Sequence, residues 1–265
     1  MSHNKKNRFT FFRWNFMKIG VSTLALFPLS VEEMLNYLES LKVKYIEIIR
    51  EFPYTEIDID LVNSYNFKTS VHAPLSYINI ASLNESIRKV SVKEIKDSID
   101  QALKIDASVV VVHPGYIPFS VREYKDKIMK KCIKSVEECL LYAEKYGIQI
   151  CVENMPDMEG MICKSLDELY GLTSNLKAFM TLDVGHAHNM GISIQEMLKY
   201  DNIGHIHLSD NDGSFDDHDA IGSKNMDFEF LFNELNRIKF NGICIIEVKN
   251  QDEILESLDY IKKFV

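Results

Sequence analysis

From position 17 onward, short apolar runs alternate with longer stretches whose apolar residues recur every three or four positions. The short runs predict strands at 17–23, 44–49, 68–72, 108–113, 148–153, 177–183, 203–208 and 242–248. The amphipathic stretches predict helices near 30–41, 57–65, 84–104, 121–146, 165–174, 193–199, 226–236 and 251–263. Strands rich in Val and Ile set between amphipathic helices indicate βα units on a parallel sheet. Local signals agree with these limits. Ser30 followed by Glu33 forms a capping box before the first helix. Asn84 opens the third helix, and Gly147 stops the fourth. There is no internal repeat beyond the βα alternation and no linker, so the pattern describes one domain.

Right-handed crossovers can close such units into a barrel or lay them out as a doubly wound sheet. The polar residues favour the barrel. His72, His113, Glu153, Asp183, His207 and Glu247 stand at the downstream ends of six successive strands. His186 follows closely, and a loop segment, FDDHD, adds Asp216 and His218. Only a closed (β/α)8 ring, a TIM barrel, brings all those ends to one rim, where active sites of this architecture lie. Strand residues alternate between faces. Cys151 and Glu153 therefore share a face, as do Thr181 with Asp183 and His205 with His207. Their apolar neighbours take the other side, toward the helices.

Glu153, Asp183, His207 and Glu247 are the foremost candidates for chemistry. Each carboxylate alone could cap a helix or pair with a cation. Together they would repel one another, and a divalent cation removes that repulsion. Mixed imidazole and carboxylate donors suit zinc-type ions. His72, His113, His186, Asp216 and His218 form a second group. They could complete a multinuclear site bridged by Glu153, or bind substrate around a single ion. His188 and His205 suit a supporting role behind the ligands. The chain contains no nucleophile elbow, phosphate-binding P-loop or dinucleotide fingerprint.

Composition narrows the partners. The 265 residues carry a net charge of −9, which argues against a general binder of nucleic acid or anionic membrane. Five cysteines without a CxxC pair read as reduced thiols of a cytoplasmic protein. No segment is long and apolar enough to span a membrane. Residues 1–16 mix basic and aromatic side chains without the core of a secretory signal. They read as a disordered N-terminal extension, with the barrel occupying 17–265.

The stretches HAPLSYINIAS (72–82), ESIRKVSVKEIKDSIDQALKIDASVVVVHPG (85–115), VENMP (152–156), TLDVGHAH (181–188), HIHLSDNDGSFDDHDAIG (205–222) and IIEVKN (245–250) resemble the xylose isomerase-like TIM-barrel superfamily. That group joins sugar and sugar-phosphate isomerases and epimerases to the endonuclease IV family, AP endonuclease family 2. Resemblance to the epimerase branch implies a divalent metal, zinc or manganese, on Glu153, Asp183, His207 and Glu247. The two glutamates would then also shuttle a substrate proton. His186 would contact substrate, with His113 and His72 beside it. Resemblance to endonuclease IV implies three zinc ions held by all nine residues and cleavage of a phosphodiester at abasic DNA sites. Two departures oppose the second branch. The segment 50–61, REFPYTEIDIDL, is short and acidic where that family has a basic DNA-reading loop. Phe215 stands where that family has an arginine. The expectation is a metal-dependent isomerase or epimerase of a small sugar or sugar phosphate, binding one to three ions. The phosphodiesterase is the alternative.

Overall fold

The computed structural model describes residues 17–264. The extension expected over 1–16 lies outside the described residues. Eight strands appear in the expected order: β1 (Lys18–Ser22), β2 (Tyr45–Ile49), β3 (Lys68–His72), β4 (Val109–Val112), β5 (Gln149–Glu153), β6 (Phe179–Asp183), β7 (Ile203–Leu208) and β8 (Ile243–Ile246). Each pairs in parallel with the next, and β8 pairs with β1, so the sheet is a closed barrel. The (β/α)8 TIM barrel expected from the alternation is the observed fold.

The helices are α1 (Val31–Ser40), α2 (Ile59–Asn63), α3 (Glu85–Lys104), α4 (Lys125–Ala143), α5 (Leu166–Leu176), α6 (Val184–Asn189), α7 (Ile194–Met197), α8 (Phe228–Arg237) and α9 (Gln251–Ile261). Local chemistry explains several limits. The Ser30 side chain accepts from the Glu33 amide while Glu33 reaches back, completing the capping box. Asn84 accepts from the Ser86 amide. Gly147 ends the α4 region at φ 69°, a left-handed conformation that glycine adopts without strain.

Three expectations need correction. The stretch 121–146 is not one helix: α4 is flanked by the 3-10 turns Phe119–Tyr124 and Glu144–Tyr146. The helix expected at 193–199 shrinks to the single turn α7. The helical chain after β6 starts earlier, as α6, because Asp183 caps it by accepting from the His186 amide at 2.7 Å. Finally, β4 and β8 stop one residue before His113 and Glu247, so both occupy rim loops rather than strands.

The alternation of faces is as expected. Ile150, Val152, Met180, Leu182, Ile206 and Leu208 join the main apolar core between barrel and helices. Inside the barrel, Val109, Val111 and Cys151 form a small separate apolar cluster. Above it the interior is polar: Glu47, Ser70, Glu153, Thr181, Asp183, His205 and His207 are almost completely buried. All five cysteines are free and buried. Among the described residues, no helix is long and apolar enough to cross a membrane.

Candidate metal centre at the barrel mouth

Glu153, Asp183, His207 and Glu247 bring one ligand-type atom each to a common point, all within 4.8 Å of one another. Glu153 and Asp183 are the last residues of their strands, and His207 is the last but one of β7. In register, Asp183 pairs with His207, which places the two side chains next to each other on the inner face. His207 Nδ1 lies 2.9 Å from Glu153 Oε1 and 3.0 Å from Glu247 Oε2, with Asp183 Oδ2 at 3.8 Å.

The second group assembles around this point. His72 and His113 approach the other Glu153 oxygen, Oε2, at 3.3 and 3.1 Å. Glu153 thus bridges two clusters, one oxygen to each. Across the mouth, the Asp216 carboxylate lies 3.0 Å from His186 Nε2 and 3.1 Å from His218 Nε2, a third cluster. All nine residues singled out from the sequence therefore lie together at the mouth. His113 and His218 are its more accessible members, with side chains 23% and 24% exposed.

Backbone carbonyls orient three of the histidines. His72 Nδ1 contacts the Ala73 carbonyl at 2.7 Å, His186 Nδ1 that of Asn154 at 2.7 Å, and His218 Nδ1 that of Glu247 at 3.0 Å. A carbonyl only accepts, so each Nδ1 carries a proton and each Nε2 faces the carboxylates. Asn154 also locks the end of β6, accepting from the Asp183 amide at 2.8 Å and donating to the Asp183 carbonyl at 3.0 Å.

The electrostatics follow from many charges in a dry space. Burial alone would raise the Glu153 carboxyl, but His207 and His113 offset this and hold it well below the ordinary range. Burial pushes Asp183 up to about 6, opposed by His186 and assisted by Glu153 and Asp216. Burial would lower His72, His186 and His218. Neighbouring carboxylates win instead, raising them to about 9, about 9 and about 10. Burial dominates at His113 and lowers it. In the protein alone, protons on imidazoles balance the carboxylates.

The residues fit divalent ions. Asp183 Oδ2 and Asp216 Oδ1 are buried oxygens without a hydrogen-bond partner. An uncompensated anionic oxygen in such a place is costly, and a cation removes the cost. The donors are imidazole nitrogens and carboxylate oxygens, a set that suits zinc and manganese.

The sequence profile described as "Xylose isomerase-like TIM barrel" matches residues 35–264. The chain belongs to this family. An uncharacterized protein of Methanocaldococcus jannaschii is 35% identical over 94% of this chain and 100% of its own. The crystal structure of a D-tagatose 3-epimerase-like protein superposes with a TM-score of 0.85 at 32% identity, covering 93% of this chain and 96% of that one. Both functional branches appear among more distant relatives. A probable endonuclease 4 of Malacoplasma penetrans is 27% identical over 69% of this chain and 68% of its own. Fructoselysine 3-epimerase of Escherichia coli O157:H7 is 24% identical over 62% and 61%.

Further contacts of this family member join segments remote in sequence. Glu47, in the middle of β2, is fully buried and contacts His205 and His207 across the barrel. Its trace in the sequence is an acidic residue inside the apolar strand YIEII, at an alternating inner position. His205 lies next to His207, with its ring against that of His207 and its Nε2 on Glu47. His188, expected in a supporting role, has no partner for its buried Nε2. The acidic segment 50–61 is fastened down: Glu51 accepts amide protons of Phe52, Leu75 and Ser76 at 3.0, 2.9 and 2.9 Å. Asp58 caps α2.

Proposed function

We propose that the protein is a divalent-metal-dependent isomerase or epimerase of an uncharged sugar, acting by proton transfer beside a carbonyl. The observation that carries this reading is the convergence of Glu153 and Glu247 on one point, from the end of β5 and from the loop just after the non-adjacent β8. Moving a proton from one side of a carbon to the other requires one group to accept it and a second to return it. Glu153 and Glu247 provide that pair. A divalent ion on Glu153, Asp183, His207 and Glu247 would polarise the carbonyl and stabilise negative charge developing on its oxygen. His186, His113 and His72 line the approach and can orient the substrate hydroxyls.

The substrate's charge is constrained by the rim. Among the described residues, every Lys and Arg of the loops that follow the strands pairs with a carboxylate. Arg50 meets Glu94 at 3.1 Å, Arg122 meets Glu159 at 2.6 Å and Lys164 meets Asp157 at 2.6 Å. Lys224 and Lys249 share Asp219. Phosphate-binding barrels commonly use the loops after strands seven and eight with a helix N-terminus. Here α8 begins with Asp227 and Glu229, and α9 has Asp252 and Glu253 in its first turn. These acids oppose a phosphate, which narrows the expected sugar or sugar phosphate to the unphosphorylated sugar.

A second reading has one specific support. The nine residues form three linked clusters, and several ions could stabilise both the attacking and leaving oxygens of a phosphodiester. This would make the protein an endonuclease IV-like phosphodiesterase. The paired cations and the acidic 50–61 segment weigh against gripping a duplex. One experiment separates the readings: solvent deuterium incorporation into a panel of ketoses, beside incision of duplex DNA bearing an abasic site. Exchange into a ketose without incision is expected. Metal-dependent incision without exchange would transfer the assignment to the phosphodiesterase.

A further inference from the structure

We infer that Glu47 is a positioning residue that orients His207 for metal binding, with His205 as its second anchor. The inference rests on the metal-centre part of the proposed function. Glu47 lies one layer below the mouth, with no exposed surface. Its Oε1 accepts from His207 Nε2 at 2.9 Å, and its Oε2 accepts from His205 Nε2 at 2.9 Å and Ser70 Oγ at 2.7 Å. Three donors from β3 and β7 thus use both oxygens, so the carboxylate acts here as a hydrogen-bond acceptor. An ionised carboxylate cannot donate. The proton between Glu47 and His207 therefore sits on Nε2, and the opposite nitrogen, Nδ1, faces Glu153 and Glu247. A carboxylate behind a histidine both orients the ring and strengthens it as a ligand.

His205 completes the device. Its Nε2 donates to Glu47, and its Nδ1 is buried without a hydrogen-bond partner. It thereby steadies Glu47 from outside the cluster of Glu153, Asp183, His207 and Glu247; with Glu47 and His207 it forms a metal-type trio one layer down, in which the Nε2 atoms of both histidines already face the Glu47 carboxylate. His72, His186 and His218 lean on backbone carbonyls, which no substitution at those carbonyls removes. His207 leans on a side chain, so its orientation is open to mutation.

The test uses the full chain and zinc. In Glu47→Gln the new amide can point its NH2 at His207 Nε2, which drives the imidazole proton to Nδ1, the atom that faces the ion. Zinc affinity, measured by chelator competition on folded protein, should fall roughly 10- to 100-fold. The visible absorption of the cobalt(II) form should change as well. A merely structural Glu47 would lower the melting temperature of the metal-free protein and leave the zinc affinity and cobalt spectrum of folded molecules as in wild type. That result would overturn the inference. A measurement on wild type stands if the variant does not fold: in the zinc-loaded protein, the imidazole 15N signals of His207 should show a protonated Nε2 and a zinc-bound Nδ1. Zinc on Nε2 would overturn the proposal. A wild type that retains no zinc overturns this inference together with the metal centre. Zinc binding that is equal in wild type and Glu47→Gln overturns this inference alone.

Discussion

Asn154 and Asp183 are joined by two hydrogen bonds, amide side chain to backbone in both directions, at 2.8 and 3.0 Å. The same residue's carbonyl receives His186 Nδ1. Asn154 therefore sets the end of β6, the carboxylate that caps α6, and the ring of a candidate ligand. Replacing it by Ala leaves two buried backbone groups unpaired, at about 1–3 kcal/mol each. Asn154→Ala should lower the melting temperature and reduce metal bound per folded molecule. Unchanged metal content in the purified variant would show that the carboxylates find their places without this clamp.

Metal content itself is the next expectation. The purified protein should retain at least one divalent ion by elemental analysis. Glu153→Gln and Asp183→Asn should both lower its occupancy, because each removes one of four converging groups. Glu153 should have the wider effect, since its two oxygens serve two clusters. Normal occupancy in both variants would remove the centre from the mouth of the barrel.

Stability should fall with rising pH more steeply without metal than with it. Neighbouring carboxylates raise His72, His186 and His218 to about 9, about 9 and about 10, above the ordinary imidazole value of about 6.5. A raised histidine stabilises the folded state fully below its unfolded pKa, and that stability is lost as pH rises through the folded value. The chelator-treated protein should therefore melt at progressively lower temperature from about pH 6.5 to about pH 10. Asp183, raised to about 6, loses its contribution mostly below this window and in the same direction. In the metal-loaded protein the ions replace these protons, and the decline over the same range should be smaller. A melting temperature of the metal-free protein that holds steady or climbs over that range would contradict the charge balance described for the mouth.

Substrate charge offers a fourth check. Among the described residues, each Lys and Arg of the rim loops already faces a carboxylate, and α8 and α9 begin with acids. A ketose should exchange its proton with solvent at least about tenfold more efficiently, by kcat/KM, than the same ketose carrying a phosphate, a difference of about 1.4 kcal/mol. Preference for the phosphorylated partner would mean that a cation leaves its carboxylate on binding.

Most of the architecture is written in local pattern. Eight βα units follow from periodicities set by backbone geometry, and caps such as Ser30 with Glu33 act within one turn. Parity along a strand placed Glu153, Asp183 and His207 on the inner face, because side chains alternate whatever the fold. The sequence could also nominate nine ligand-type residues, since imidazoles and carboxylates at apolar strand ends have few inexpensive uses. Tertiary structure decided what they do to one another. Glu47 and His207 are 160 positions apart and meet only because the barrel closes, bringing β2 opposite β7. The split of Glu153 between two clusters, the carbonyls behind His72, His186 and His218, and the pairing of every rim cation are likewise distances between remote segments. Local pattern carries propensities and faces. The electrostatics of a buried site depend on separations of a few ångströms, which exist only once the ring is closed.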